Sequence, residues 1–325
     1  MPDSSKTEAE RAVQREFRKV VASVACAALA GLVLIAAYVI HRLPDRTELG
    51  RRELPLRYER LFLGTNRIGP FAIAGAWRVS ADDLRFGGIS ALAIDGGAFL
   101  ALSDSGVVVR FPRPGSHHPS ALLDELPDGP GKRDFKYNRD SEAIAADPRG
   151  RGWWVAFENR NALWLFDRTF ERVLERRPIN APEFGRNRGV EAMAADHGRI
   201  LLFPERGGRA FSADGLSMPV RGVSGWISDA VWLGGGRLLI ANRTPTPLGL
   251  SNRLALLGRD ENGYSQQAAW PIPVDRLGNV EALAIETQPG GAIRLWMMTD
   301  NGLQQRRPTL LIALELRPRP ARSGR

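Results

Sequence analysis

ISALAID, at Ile89–Asp95, is the first of five related phrases in this chain of 325 residues. It returns as SEAIAAD at Ser141–Asp147, VEAMAAD at Val190–Asp196, SDAVWLG at Ser228–Gly234 and VEALAIE at Val280–Glu286. Aligned this way, the second position holds Ser90, Glu142, Glu191, Asp229 and Glu281. Alanine follows each time, at Ala91, Ala143, Ala192, Ala230 and Ala282. The intervals are 52, 49, 38 and 52 residues. A strand-built repeat with a period of roughly 40–50 residues marks a radial β-architecture. The phrases are small and apolar on both faces, which suits a strand covered on both sides and crowded near an axis.

A second element trails each phrase. After a Gly-rich turn, an apolar run ends in a polar pair: Asp104–Ser105, Glu158–Asn159, Glu205–Arg206, Asn242–Arg243 and Asp300–Asn301. The lag between the two polar sites is 14, 16, 14, 13 and 19 residues, a length that suits two strands and their turn. In a hairpin the start of one strand lies beside the end of the next, so both polar sites reach the same end of each sheet. Further strand-like runs follow each hairpin. The pattern predicts an all-β fold, a β-propeller of five or six four-stranded blades, preceded by one N-terminal transmembrane helix. Five units are legible. Arg57–Ser80 is expected either to supply the rest of a sixth or to pair into the last blade and leave no free edge.

Residues 1–19 are polar and are expected on the cytoplasmic side. Val20–Ile40 then runs 21 residues without a charge. As a helix it is long enough to cross a hydrocarbon core of about 30 Å. It reads as a membrane anchor or signal sequence, the uncleaved anchor being favoured, which places the following domain in the periplasm or outside the cell. Residues 41–54 read as a linker, 55–316 as the propeller and 317–325 as a disordered tail. The formal net charge of +9 admits anionic ligands, a membrane surface or nucleic acid. No helix-turn-helix, zinc-knuckle or RNP-type pattern occurs, so no nucleic-acid partner is expected. The single cysteine, Cys26, lies within the apolar run, and no disulfide framework exists.

If the recurring phrase is the innermost strand, Glu142, Glu191, Asp229 and Glu281 ring one mouth of the central channel, with Glu158, Glu205 and Asp300 beside them. Acids held this close raise one another's pKa unless something offsets the repulsion. A hard cation with six to eight oxygen ligands does so, and Ca²⁺ fits clustered carboxylates. Arginine also does so: Arg139, Arg188, Arg160, Arg206 and Arg243 lie close in sequence to the acids, and the first four are candidates to bind an anionic substrate. Glu142, Glu191 and Glu205 are the candidates to take a proton from water. Against this, acids recurring in every blade also serve to tie turns and neighbouring blades together. Asp95, Asp147 and Asp196, at strand ends, read as turn residues.

The runs RFGGISALAID…LALSDSG at Arg85–Gly106, RDSEAIAAD…FENRNALWLFD, RGVEAMAAD…PERG and GNVEALAIE…TDNG resemble the bacterial phytase-like proteins, the family of "esterase-like activity of phytase". The resemblance spans roughly residues 56–316. It implies an envelope-exported β-propeller with phosphoester or ester hydrolase activity on a small anionic or ester substrate. A lactonase-type propeller enzyme and a non-enzymatic ligand-binding or scaffold propeller are the alternatives. Ser90 and Asn242 depart from the acidic pattern, so the ring of ligands is expected to be uneven.

Overall fold

The short apolar runs separated by glycine turns resolve into strands that pair as antiparallel hairpins. The computed structural model describes residues 8–41, 50–83, 85–179, 184, 189–196, 198–247, 249–274, 278–302 and 308–316. Two units separate by their contacts, Met1–Pro44 and Asp45–Arg325.

The first unit carries the helix Glu8–His41. Within it Gln14–Ile35, with a mean hydropathy of 1.9, is long and apolar enough to cross a membrane by length and composition. A signal sequence passes the same test. This stretch begins and ends a turn or more before the charge-free run Val20–Ile40.

In the second unit the five phrases are the strands Ile89–Asp95, Ser141–Ala146, Val190–Asp196, Trp226–Gly234 and Asn279–Thr287. Each begins a blade that continues outward through antiparallel strands, and blades three and four join at their outer edges through the parallel pair Ser217–Arg221 and Gly263–Ile272. The five inner strands pack side by side in a closed circle, the fifth against the first. The apolar residues form five clusters, and each fills the space between two neighbouring blades. Phe99 with Trp296 and Leu311 joins blades one and five. Leu100 with Val155 joins one and two, and Trp154 with Leu202 joins two and three. Phe203 with Ile240 joins three and four, and Leu239 with Met297 joins four and five. The inner strands of each blade are therefore covered on both faces, which is why their sequences are nearly continuously apolar, as in Gly152–Phe157 and Arg199–Pro204. The propeller has five blades.

The ring closes through its beginning. Phe71–Ser80 pairs antiparallel with Thr309–Leu316 and becomes the outer strand of blade five, with Arg57–Arg60 beyond it. Among the described residues no strands remain for a sixth blade. Arg52–Pro55 pairs with Ser120–Glu125 as a fifth strand on blade one, so the propeller begins inside the segment read as a linker. Residues 317–325, read as a disordered tail, and 1–7 lie outside the described residues.

Candidate functional site

The inner strands do not run in simple register with their neighbours. In four blades one residue bulges between paired positions. Ser90 bulges between Ile89 and Ala91, and Glu142 between Ser141 and Ala143. Glu191 bulges between Val190 and Ala192, and Glu281 between Val280 and Ala282. A bulge re-aims a side chain out of the strand's alternation, and all four of these residues line a cavity of about 230 Å³. Asp104, Glu158, Glu205, Arg243 and Asp300, each just beyond or at the end of the second strand's pairing, complete its wall.

The fourth blade breaks the alignment by one residue. Its bulge falls between Ile227 and Asp229, at Ser228. Ser228 Oγ donates to Val280 O (2.6 Å), as Ser90 Oγ donates to Ser141 O (2.5 Å), in both cases to the first residue of the next blade's phrase. Ser228, not Asp229, is therefore the counterpart of Ser90. Asp229 occupies the position of Ala91, facing the next blade. Its carboxylate accepts from Leu283 N (2.5 Å) and from its neighbour Ala230 N (2.8 Å). Burial holds its pKa well above the usual range. Asp229 does not line the acid-walled cavity and ties blade four to blade five. The same offset moves the second polar site from Asn242 to Arg243, so blade four presents a guanidinium where the other four present Asp or Glu.

Seven carboxylates line the cavity. Burial, then the charge of Glu191, pushes Glu142 well above the carboxylate range. Burial, then the charges of Glu158 and Glu205, raises Glu191 to about 8. Burial, then Asp140, raises Glu158 to about 7, and burial raises Asp104 to about 6. Asp300 is raised for the same first reason. Two cations offset part of this. Lys136 Nζ sits 2.9 Å from Asp104 Oδ2 and 2.8 Å from Asp140 Oδ1. Burial works against its charge, yet the two carboxylates outweigh it and hold the ammonium above the usual lysine value. Arg243 donates through Nη1 to Glu281 and through Nη2 to Glu205 (3.4 Å). Glu142 and Glu191 have no hydrogen-bond or ion-pair partner among the described residues, although Glu191 is only 9% exposed.

One oxygen from each of Asp140, Glu142 and Glu158 lies within 4.8 Å of the others. Oxygens bound about 2.4 Å from a calcium ion lie at most about 4.8 Å apart, so this donor set fits a hard divalent cation. Gly189 stands against it: its N–H supports the Glu158 carboxylate, and a Cβ there would come 2.4 Å from Glu158 Cα. The close approach demands glycine.

A family model described as "Esterase-like activity of phytase" matches residues 84–303. The chain belongs to this phytase-like family. No curated protein matches it in sequence. Among solved structures, the glutaminyl cyclase of Myxococcus xanthus is 13% identical, with a TM-score of 0.48 over 76% of this chain and 97% of that one. A putative 6-phosphogluconolactonase of Bacteroides fragilis is 14% identical, with a TM-score of 0.36 over 76% and 78%. At these scores the propeller assignment stands on the ring of sheets.

The phytase-like propeller thus gathers Glu142, Glu158, Glu191, Glu205, Glu281 and Asp300 at one mouth, and leaves Asp229 out. The arginines expected to meet substrate are placed elsewhere. Arg139 is buried and donates to Pro130 O (3.0 Å) and Asn138 O (3.3 Å). Arg160 donates to Asn138 Oδ1 (3.0 Å from Nε) and lies over the Tyr137 ring. Both hold the loop that carries Lys136, because backbone carbonyls and an amide are the acceptors within reach. Arg206 is exposed beside Glu205, and Arg188 lies outside the described residues. Arg243, which follows the second polar site of blade four, does pair with the acids; Asp104, Asp140 and Lys136 are candidate-site residues that the repeat did not select. Asp104 was within reach of it, since it opens the polar pair of blade one.

Proposed function

We propose that the acid-lined mouth binds one divalent cation, calcium by its oxygen donors, and hydrolyses a small phosphoester or ester. The observation that carries this reading is the group Asp140, Glu142 and Glu158, with one oxygen of each within 4.8 Å of the others, beside Glu191; Asp140 shares Lys136, whereas Glu142, Glu158 and Glu191 have no ion-pair partner among the described residues. Buried acids with no counter-charge are costly unless a cation completes them. These four residues would hold the ion, which supplies a Lewis acid for a carbonyl or phosphoryl oxygen and lowers the pKa of water.

The chain's own groups do the rest. Glu191, at the cavity wall without a partner, accepts the proton of the attacking water. Glu205 is held by Arg243 and orients that guanidinium across the cavity, while Lys136 keeps the blade-one acids neutralised. The polar, narrow cavity admits the reacting group and leaves the remainder of the substrate outside. The apolar N-terminal helix, in this reading, anchors the chain in a membrane with the propeller on the periplasmic or outer side.

The test is turnover of p-nitrophenyl phosphate and p-nitrophenyl acetate by the full-length chain, with calcium and with EDTA. Turnover of either substrate that depends on calcium is expected. Absence of turnover in both conditions removes the hydrolase; turnover unchanged by EDTA removes the cation.

A further inference from the structure

Blade four, like blade one, carries a serine at the bulge, Ser228, and alone among the five carries a basic residue, Arg243, where the others present an acid. The consequence is an uneven distribution of charge around the mouth. On the border of blades one and two, Asp104 and Asp140 share the ammonium of Lys136. On the side of blades three to five, Glu205 and Glu281 share the guanidinium of Arg243. Between them, Glu142, Glu158 and Glu191 have no ion-pair partner among the described residues. Arg243 is largely buried, its side chain 13% exposed. It has no room to swing into solvent without leaving two acids facing each other.

We infer that Arg243 is a resident counter-ion that limits the pocket to one divalent cation, by filling with its own charge the place where a second would sit. This rests on the cation reading above. Glu205 and Glu281 hold different nitrogens of the one guanidinium, so its single positive charge serves both acids. In blades one, two, three and five the position equivalent to Arg243 is Asp104, Glu158, Glu205 and Asp300. An acid at that position completes a second group of three oxygens, from blades three, four and five. Arg243 therefore acts through Glu205 and Glu281 as a positioning residue. It makes the pocket one-sided, with the divalent ion confined to blades two and three.

The experiment counts ions. Full-length wild type, Arg243→Glu and Arg243→Met are dialysed against calcium, counted by elemental analysis, and titrated by calorimetry, with near-ultraviolet circular dichroism to confirm the fold. The wild type is expected to hold one ion per chain. Arg243→Glu is expected to hold two and to gain more in Tm from calcium than the wild type. Arg243→Met, which frees Glu205 and Glu281 without adding charge, is expected to take a second, weaker ion, and carries the test if Arg243→Glu does not fold. One ion on the wild type and on every folded variant overturns the role of Arg243, as do two ions on the wild type. No ion on the wild type overturns the cation reading itself.

Discussion

Replacing Glu191 with glutamine is expected to stabilise the calcium-free protein while weakening its hold on calcium. Folding lifts the Glu191 pKa from an ordinary value near 4.5 to about 8, chiefly by burial, then by the charges of Glu158 and Glu205. Below pH 4.5 both folded and unfolded chains hold the proton, and the residue costs nothing. Between 4.5 and 8 the unfolded chain releases its proton while the folded chain keeps it, so stability falls as pH rises. Above pH 8 the deficit stays constant. At about 1.4 kcal/mol per pH unit, the deficit reached by pH 7 is about 3 kcal/mol. Glutamine keeps the shape and cannot ionise. In EDTA at pH 7–8 the variant should gain about 2–3 kcal/mol, or roughly 5–10 °C in Tm for a domain of this size. Its stability should also fall less steeply between pH 5 and 8. In calcium the order should reverse, because the wild type gains a ligand that the variant lacks. Thermal melts from pH 5 to 9, with EDTA and with calcium, decide the matter. A variant that melts lower than wild type in EDTA at pH 8, or that keeps the full pH slope, refutes the account of Glu191 as an uncompensated buried acid.

Asp229→Ala leaves the Leu283 N–H without its acceptor between two blades and is expected to cost about 1–3 kcal/mol in denaturant melts, with calcium binding unchanged. Phe99→Ala empties a site packed against Phe111 and Trp296 at the seam of blades one and five, and should cost about 3–5 kcal/mol by the same measurement. Deleting residues 1–80 strips the partner from Thr309–Leu316 and leaves an apolar strand with a free edge. Light scattering should then show aggregation, whereas deleting only residues 1–44 should leave a soluble propeller.

The blade plan was legible because most inner strands repeat a composition that their position enforces: an alanine where blades crowd together in four, and an acid where the strand bulges in three. The site was legible to the extent that it follows this repeat, which is why Glu142, Glu158, Glu191, Glu205, Glu281 and Asp300 come together as expected. The fourth copy misled by one residue. Ser228 and Asp229 are adjacent polar residues, and either can be aligned with the glutamates. Only the strand pairing reveals which one bulges. The same slip aligned Asn242, rather than Arg243, with the second acids. Asp140 and Lys136 were missed for a different reason. They belong to the connection between blades one and two, outside the repeated phrases, and Lys136 reaches Asp104 only because the propeller brings two blades together. Arg139 and Arg160 were close in sequence to the acids, but proximity along a strand end does not say which way a long side chain turns.

The outer strand of blade five also sets an order of events during synthesis. Phe71–Ser80 leaves the ribosome before any blade exists, and its partner Thr309–Leu316 is about 230 residues behind. At roughly 5–20 residues per second this strand waits roughly 10–45 s with its hydrogen-bonding edge bare. The blades made in that interval can pair within themselves, but the circle has no last neighbour until the final strand emerges. A strand made before any blade is thus among the last to find its place, and a nascent chain stalled before Thr309 exposes a ready template for pairing with another chain.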